Sequence, residues 1–440
     1  MMSKKVKLNY KTMKKLYWNS LVPFLLLVVM LSGCKDKYTE QYQSLEPVYM
    51  TYDDFRASVK VVSQQDLVKP GKIYTIGNYI FINELMKGIH VYNNANPASP
   101  QDVGFINIPG NADMAVRNNV LYADSYIDLV AIDITDPSKA KEVGRVKSAF
   151  PYSVPSYDQT TYRVGQVDDT KGVVVSWEVQ TVRKEINTDN YTIYPVYYGE
   201  KYSASMDALS SSGTNQSTSG AGIGGSMARF GLIGNSLVAV DTYMYYNFDL
   251  SNPNSPSLAS KSQVNWGIQT MFLSGKTMFL GTTNGMLVYD LSDVTKPVYI
   301  STFWHATGCD PVVVQDNRAY VTIRGGNACG SNINRLDVLD VTNILKPALF
   351  RSYTMDGPYG VGISGDILFV CDGTSGLKVY NAADPLLIAE HLLAKFPGIQ
   401  AYDVIPLGKS LLMIGSDGFY QYDYSDVTNI KQVSVIKVKK

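Results

Sequence analysis

The chain has 440 residues, with 39 Lys and Arg against 39 Asp and Glu. The first 33 residues carry six lysines and no acidic residue, so the remainder has 33 basic against 39 acidic residues, a net charge of −6. This balance argues against nucleic-acid binding, which requires a basic patch.

Residues 1–33 have the features of an export signal. Six lysines precede an apolar core, Leu21–Leu31, which is too short to span a bilayer and is followed by small residues. The sequence LSGC, which ends at Cys34, resembles the bacterial lipobox, whose cysteine becomes the acylated first residue. The residue after the cysteine is Lys35, and in this respect the sequence is similar to lipoproteins that are sent to the outer membrane. We therefore expect a lipid anchor at Cys34 in the outer membrane, facing the periplasm or the cell surface; the alternative is an ordinary signal peptide with a chance cysteine.

Residues 34–58 are predicted to be a tether. The stretch is polar, and only the sequence Tyr-Asp-Asp-Phe at Tyr52 to Phe55 indicates a helical turn.

Beyond the tether, one short phrase recurs seven times. Each copy is an apolar run that ends at an Asp or Asn and is followed by a turn. The anchors are Asn93, Asp133, Asp249, Asp290, Asp340, Asn381 and Asp423, which lie 40, 116, 41, 50, 41 and 42 residues apart. A period near 41 residues indicates a β-propeller or a solenoid.

Each copy is preceded by a predicted hairpin, such as GNYIFIN at Gly77 to Asn83, and leaves room for one more strand. In the anchored strands, large residues occupy both faces, since residues an odd number apart point to opposite sides. Sheets stacked around an axis bury both faces. The sequence therefore predicts an all-β protein, a seven-bladed β-propeller over residues 59–440.

The runs LVAID at Leu129, MLVYD at Met286 and LDVLD at Leu336 resemble the LVIVD repeat of bacterial surface β-propeller proteins. The resemblance covers nearly all of the chain after the tether. It implies a propeller and an envelope location, and it implies no established chemistry.

The 116-residue gap predicts an insertion of about residues 147–228 on one face of the propeller, and such insertions often mark the binding face. Its end, which is rich in Ser and Gly, is interpreted as a flexible linker. The alternative is a degenerate eighth blade around Gly172 to Val182.

Ring closure is predicted to use both ends of the propeller. QVSVIKV (Gln432 to Val438) is expected to be an outer strand of blade seven, and SVKVVSQ (Ser58 to Gln64) is expected to pair in the same blade. Sharing strands in this way would leave no exposed edge.

Three cysteines follow the lipobox. Cys309 precedes an inner strand and Cys329 lies in the loop after its hairpin partner, so we expect a Cys309–Cys329 disulfide in the oxidising envelope. Cys371 is predicted to be a buried small hydrophobe.

Residues near the start of each inner strand would line the mouth of the central channel. The candidate ligand-binding residues there are Lys72, Asp113, Arg229, Trp266, Asp310, Arg324, Tyr359 and Asp403. The alternative is a solvated channel rim. The sequence contains no metal-ligand spacing, and the G-x-G-x-x-G at Gly220 lacks the strand and helix of a dinucleotide site, so no metal or cofactor is predicted.

These observations favour a non-enzymatic binding or scaffold protein that is lipid-anchored in the envelope and recognises a protein or glycan. The alternative is an envelope hydrolase or lyase that uses Asp113, Asp310 and Asp403, since paired carboxylates perform acid and base catalysis when burial separates their pKa values.

Overall fold

The computed structural model describes residues 38–157, 161–186, 199–200, 223–226, 228–308, 311–326 and 332–439. In this part of the chain the elements are almost entirely β-strands. Seven antiparallel sheets of four or more strands follow one another along the sequence, which confirms the all-β fold and the propeller.

The N-terminal elements precede the first blade. They are β1 (Tyr38–Met50), α1 (Tyr52–Ala57) and β2 (Lys60–Val62). The helical turn predicted at Tyr52 is therefore confirmed. Thr51 caps it by accepting from the Asp54 amide, and Phe55 is fully buried on its inner side. The part of the predicted tether that is described thus consists of a strand and a helix, because Phe55 has an apolar site against Tyr126.

The first two blades are continuous in sequence. Blade 1 contains β3 (Pro70–Ile76), β4 (Tyr79–Glu84), β5 (Gly88–Asn93) and β6 (Gln101–Asn107). Blade 2 contains β7 (Met114–Arg117), β8 (Val120–Ser125), β9 (Asp128–Asp133) and β10 (Lys141–Val146).

The insertion contributes short strands and one long strand. They are β11 (Ser153–Val154), β12 (Arg163–Val164), β13 (Val173–Ile186), β14 (Gly199–Glu200) and β15 (Ile223–Gly224). β13 joins β1 and β12 in a three-stranded sheet, so in the described residues Gly172 to Val182 do not form a blade of their own.

Five further four-stranded sheets, numbered blades 3 to 7, follow in the described residues. Blade 3 contains β16 (Phe230–Ile233), β17 (Ser236–Val240), β18 (Met244–Asp249) and β19 (Ser257–Gln263); blade 4 contains β20 (Ile268–Ser274), β21 (Thr277–Thr282), β22 (Gly285–Asp290) and β23 (Val298–Trp304). Blade 5 contains β24 (Val312–Gln315), β25 (Arg318–Ile323), β26 (Arg335–Asp340) and β27 (Ala348–Thr354). Blade 6 contains β28 (Val361–Ser364), β29 (Ile367–Cys371), β30 (Leu377–Asn381) and β31 (Leu392–Phe396); blade 7 contains β32 (Ala401–Leu407), β33 (Ser410–Gly415), β34 (Gly418–Asp423) and β35 (Lys431–Lys437).

Contacts divide the chain into two compact units. Of the described residues, the smaller unit contains 38–47, 161–166 and 177–186, and the larger contains 48–157, 167–176 and those from 199 onward, which include the sheets of blades 1 to 7. In the smaller unit, Arg163 donates to both carboxylate oxygens of Glu40 at 3.0 and 2.6 Å and lies 4.1 Å from the centre of the Tyr42 ring.

The repeated anchors end the third strand of each blade by a local turn. The Asp133 carboxylate accepts from the amide and the hydroxyl of Thr135, at 2.8 and 2.7 Å, and Asp290 accepts from the amide of Ser292 in the same way. The burial of both faces predicted for these strands is confirmed, since β9 and β22 are buried along all but their last residue. The hairpins turn through positive φ as predicted, at Gly77 (55°) and at Asp316 (54°).

The ring closes between blades 1 and 7 without exchange of strands. The expectation for Gln432 to Val438 is confirmed, because β35 is the outer strand of blade 7. The expectation for Ser58 to Gln64 is wrong: β2 pairs with β6 on the outer edge of blade 1, with Val61 opposite Ile106. The segment from α1 reaches blade 1 first, and its register there is fixed by Asn107, whose side-chain amide donates to the Ser58 carbonyl at 2.8 Å.

Side-chain packing and a few polar contacts hold this seam. Ile73 and Ile82 of blade 1 share an apolar cluster with blade 7 residues such as Ile414. The side-chain amides of Asn94 and Gln421 exchange hydrogen bonds of 2.9 and 2.8 Å, and the Lys439 amide donates to the Leu67 carbonyl at 2.8 Å.

Candidate functional site

The inner strands of the seven blades stand side by side in cyclic order. β3 packs beside β7, and the sequence continues through β16, β20, β24, β28 and β32, while β33 of blade 7 returns to β3. Inner strands of a propeller line its central channel. The candidate residues at the start of these strands therefore lie at equivalent positions around that channel.

Lys72, Asp113 and Arg229 come together where blades 1, 2 and 3 meet. The Lys72 ammonium lies 2.5 Å from Asp113 Oδ2, and both side chains are buried. The same oxygen accepts from the amides of Arg229 and Phe230 at 2.7 and 3.1 Å. Asp113 therefore contacts the Lys72 ammonium of blade 1 and the backbone amides that lead into blade 3.

Burial determines the electrostatics of this pair. Burial lowers the pKa of the Lys72 ammonium below its usual range, and the Asp113 carboxylate opposes that shift. Removing one member of a buried ion pair is far more costly than the net stabilisation that the pair supplies, because the other charge is left without a partner. The pair thus links two blades and depends on both members.

Asp403 is bound by a residue from the end of the insertion. Its Oδ1 accepts from the amide and the hydroxyl of Ser226, at 3.1 and 3.0 Å, and the Ser226 hydroxyl accepts from the Val361 amide at 2.9 Å. Ser226 therefore joins blades 6 and 7. A β-carbon added at Gly225 would collide with the Asp403 carboxylate, so the close approach requires glycine there.

Residues 223–229, here called the channel segment, lie along the inner strands. β15 pairs with the free inner edge of β3, with Ile223 opposite Thr75 and Gly224 opposite Tyr74. Further on, the Ala228 carbonyl accepts from the Met271 amide of blade 4 at 2.7 Å. Met227 lies outside the described residues. The described part of the channel segment is paired and hydrogen-bonded and is not a free loop. The Ser- and Gly-rich residues 210–222, for which a flexible linker is expected, lie outside the described residues.

The channel segment hydrogen-bonds two of the carboxylates that were candidates for ligand binding. Asp113 and Asp403 accept hydrogen bonds from Arg229 and Ser226, which belong to the channel segment. The sequence could not reveal this, because Ser226 and Asp403 are separated by 177 residues. Both carboxylates are buried, and their contacts with the chain explain their positions without a ligand.

Arg324 and Tyr359 form a second cluster with Tyr402. The Arg324 guanidinium carbon lies 4.0 Å from the centre of the Tyr359 ring, and the Tyr359 and Tyr402 rings are 5.1 Å apart. All three side chains are buried. A cation over an aromatic face is stabilising where both are desolvated, so this cluster packs blades 5, 6 and 7 together.

Trp266 differs from the other candidates, because it lies open to solvent. It exposes 66% of its surface and stacks on Tyr243, with ring centres 4.7 Å apart and planes inclined at 26°. The structure therefore separates the described members of the predicted ring into two clusters, the buried Asp403 held by Ser226, and one exposed aromatic residue.

Four of the predicted positions cannot be placed. Asp310, Cys309 and Cys329 lie outside the described residues, as does Cys34, so the disulfide and the anchor stay predictions. Cys371 is buried as expected, and burial raises the pKa of its thiol well above its usual range.

Sequence reasoning did not find the buried charge site where α1 meets blade 2. Asp128 accepts from Arg56 at 2.8 Å, from Arg145 at 3.0 Å and from the Ser148 amide at 2.8 Å. Burial alone would raise the pKa of Asp128, but these hydrogen bonds, with that of Arg56 the strongest, outweigh it and hold the pKa below its usual value of 3.8. Asp128 begins the apolar run of the second repeat, and nothing in that run indicates its partners.

Two absences concern the described residues alone. They contain no group of three or more His, Cys, Asp or Glu side chains arranged to hold a metal ion. They also contain no helix of the length and apolar character needed to cross a membrane.

The seven sheets and the ring of inner strands define the class of protein: the chain is a β-propeller. No protein-family model matches it, and no curated protein matches it. It is similar to the solved structures of Hsv2 from Kluyveromyces lactis (11% identity, 84% of this chain and 100% of that chain, TM-score 0.47) and BamB from Moraxella catarrhalis (10%, 82% and 98%, 0.45). It is also similar to Sqt1 from Saccharomyces cerevisiae (8%, 86% and 88%, 0.48). At these TM-scores the similarity carries no argument about function.

Proposed function

We propose that the protein is a lipid-anchored β-propeller of the cell envelope that acts as a non-enzymatic binding or scaffold protein for a protein or glycan. The lipobox-like sequence at Cys34 and the basic leader support the anchor. The repeats, which resemble the LVIVD family, support an envelope location, and Lys35 after Cys34 supports the outer membrane, at its periplasmic or its outer surface.

One observation carries the binding role over the alternative of a hydrolase or lyase. The two described candidate carboxylates, Asp113 and Asp403, are buried and accept hydrogen bonds from the chain's own amides and side chains. General acid and base catalysis requires a carboxyl group within hydrogen-bond reach of the substrate. An exposed aromatic surface on the same propeller, by contrast, suits recognition.

A pull-down tests the binding role. Full-length tagged protein is solubilised from envelopes with mild detergent, and co-purifying proteins and glycans are identified by mass spectrometry. We expect a reproducible partner that is absent from a pull-down with an unrelated tagged lipoprotein. Turnover of an envelope polymer by the purified protein, lost in both Asp113→Asn and Asp403→Asn, would instead support the hydrolase or lyase.

The anchor has its own test. Cys34→Ala is expected to move the protein from the membrane to the soluble fraction with the leader uncleaved or cleaved elsewhere, because the acyl chains that hold it are lost. Cell fractionation and mass spectrometry of the N-terminal peptide provide the readout. A variant that stays with the membrane and lacks residues 1–33 would contradict lipidation at Cys34.

A further inference from the structure

Blade 4 carries an exposed aromatic surface at the end where its chain enters the inner strand. Trp266 lies just before β20 and exposes 66% of its surface, and Trp304 ends β23 and exposes 70%. Apart from the leader, the sequence contains only three tryptophans, and these are two of them. Exposed tryptophans carry large apolar faces that favour contact with another molecule.

Backbone hydrogen bonds place the two tryptophans at the same end of the blade, at its inner and outer strands with two strands between them. The Thr283 amide donates to the Gly267 carbonyl at 3.0 Å, next to Trp266. The His305 amide donates to the Asn284 carbonyl at 3.1 Å, next to Trp304. The turn at residues 283–284 therefore connects the two positions. Gly267 has φ of 75°, and a β-carbon there would press on the Thr283 side chain, so glycine keeps this connection close.

Tyr243 extends the surface from blade 3 and holds Trp266. Its ring stacks on the indole at 4.7 Å, and its own position is fixed because its amide donates to Asp241 Oδ1 at 2.8 Å and its carbonyl accepts from the Val264 amide at 3.0 Å. A rotamer held by stacking loses little entropy when a ligand covers it.

Blade 4 itself contributes no charged residue beside these rings. The nearest charges belong to blade 3: Asp241 accepts from the amides of Tyr243 and Met244, and Arg229 Nε donates to the Gln269 carbonyl at 3.1 Å. The segments 262–275, 277–289 and 297–308 contain no Lys, Arg, Asp or Glu. The charged residues of blade 4 lie at its opposite end, in the hairpin at Lys276 and in the turn that follows Asp290. Hydrogen-bonding groups at the aromatic end are side-chain amides and hydroxyls, such as those of Asn265, Asn284 and Thr307.

The other blades are different at this end. Each carries at least one charged residue in the inner-strand start or in the turn between its second and third strands. Examples are Lys72, Asp113, Arg229, Arg324, Asp372 and Asp403. The absence of charge is therefore specific to blade 4 among the described parts of the blades.

We propose that Tyr243, Trp266 and Trp304, with the amides of Asn265 and Asn284, form a binding site for a neutral saccharide. The C–H face of a pyranose ring packs on an indole, and amides exchange hydrogen bonds with its hydroxyl groups. Blade 4 supplies no counter-charge of its own for sulfated or uronic-acid polymers, nucleic acid or anionic lipid headgroups, and the neighbouring Asp241 and Arg229 are hydrogen-bonded within the chain. The inference rests on the proposed binding function and specifies its ligand class.

Affinity electrophoresis tests the site with detergent-solubilised full-length protein. Native gels contain one of four neutral polysaccharides (a mixed-linkage β-glucan, a galactomannan, an arabinoxylan or a glycogen), and one further gel contains polygalacturonate as an acidic probe. We expect retardation in at least one neutral gel, and a dissociation constant about tenfold higher or more in both Trp266→Ala and Trp304→Ala, the size of effect found for a dominant contact residue. Tyr299→Ala is the matched control, because Tyr299 exposes 53% of its surface on the outer strand of the same blade.

Tryptophan fluorescence supplies a second readout that does not depend on gel mobility. In Trp177→Phe, whose remaining mature tryptophans are Trp266 and Trp304, the retarding polysaccharide is expected to shift the emission to shorter wavelength. Thermal melts of each variant show that loss of binding is not loss of folding.

Several results would overturn the saccharide site. The first is the absence of retardation in every neutral gel. The second is retardation by polygalacturonate alone, and the third is unchanged binding in both tryptophan variants. The site would also be overturned if the protein binds no saccharide and the pull-down yields a protein partner that Trp266→Ala loses. That result would leave the proposed function intact. Failure of the Cys34→Ala test would reject the anchor without affecting this site.

Discussion

Blades 2 and 4 share one strand plan and differ at the end where their connecting loops gather. In blade 2, the carboxylates Asp113 and Asp128 are buried and are held by Lys72, Arg56, Arg145 and backbone amides. In blade 4, the same end is uncharged and exposes Trp266 and Trp304. A buried charge requires a partner from the chain itself, whereas an exposed indole is available to a partner from outside. The comparison assigns stability to the first region and recognition to the second.

The largest effect is expected in blade 2 from Asp113→Ala. The Lys72 ammonium is then buried without a counter-charge, so the free energy of unfolding should fall by about 3–5 kcal/mol. The measurement is chemical denaturation, with Asp136→Ala as control. Asp136 is an exposed carboxylate of the same blade that caps a single turn, so its loss should cost much less than that of Asp113.

A double variant sharpens this prediction. Lys72→Met combined with Asp113→Ala should recover part of the loss, because no unpaired charge remains. A double variant at least as unstable as Asp113→Ala would show that the amide contacts of Asp113, and not the ion pair, hold blades 1 to 3 together.

A smaller effect with a definite pH dependence is expected at Asp128. Asp128→Asn should lower the free energy of unfolding by about 2 kcal/mol at neutral pH, because hydrogen bonds from two guanidinium groups to a carboxylate are lost. The folded pKa of Asp128 lies below 3.8, so its stabilisation is complete above the unfolded pKa and is lost as the pH falls through the folded pKa. The difference between wild type and variant should therefore shrink below about pH 4. A difference that stays constant down to pH 2 would contradict the role of the carboxylate charge.

The smallest effect on stability is expected in blade 4. Trp266→Ala should change the free energy of unfolding by no more than about 0.5 kcal/mol, because the side chain is mostly exposed. Denaturation alongside the blade 2 variants checks this. A loss comparable to that of Asp113→Ala would mean that the indole is structural, and the contrast between the two blades would fail.

Local features were predictable from the sequence because their causes lie within a few residues. Hairpins turn at Gly77 and Asp316, and Asp133 accepts from Thr135 two residues later. Both patterns recur with the repeat, so the propeller could be predicted before any long-range contact was known.

Long-range contacts could not be predicted from the same patterns. β2 has an apolar character that suits the outer edge of either blade 1 or blade 7, and only the path from α1 selects blade 1. Ser226 and Asp403 are ordinary residues of a Ser/Gly-rich stretch and a strand start, and their hydrogen bond depends on the position of residues 223–226 beside the inner strands. The exposed Trp266 was a predicted site residue, but its separation from the buried charges was visible only in the structure.

At the closure between blades 1 and 7, each blade keeps its own four consecutive strands. Ile73, Ile414 and the Asn94–Gln421 amide pair hold the seam. This arrangement affects how the protein can change in evolution. A propeller whose last blade borrows a strand from its N-terminus cannot gain or lose a repeat at that point without splitting a sheet. Here a tandem duplication of about 41 codons would add a whole sheet with its hairpin and its anchor. The gene can therefore lengthen or shorten by complete blades, and each new copy can diverge at its loop end while its strands keep the ring intact.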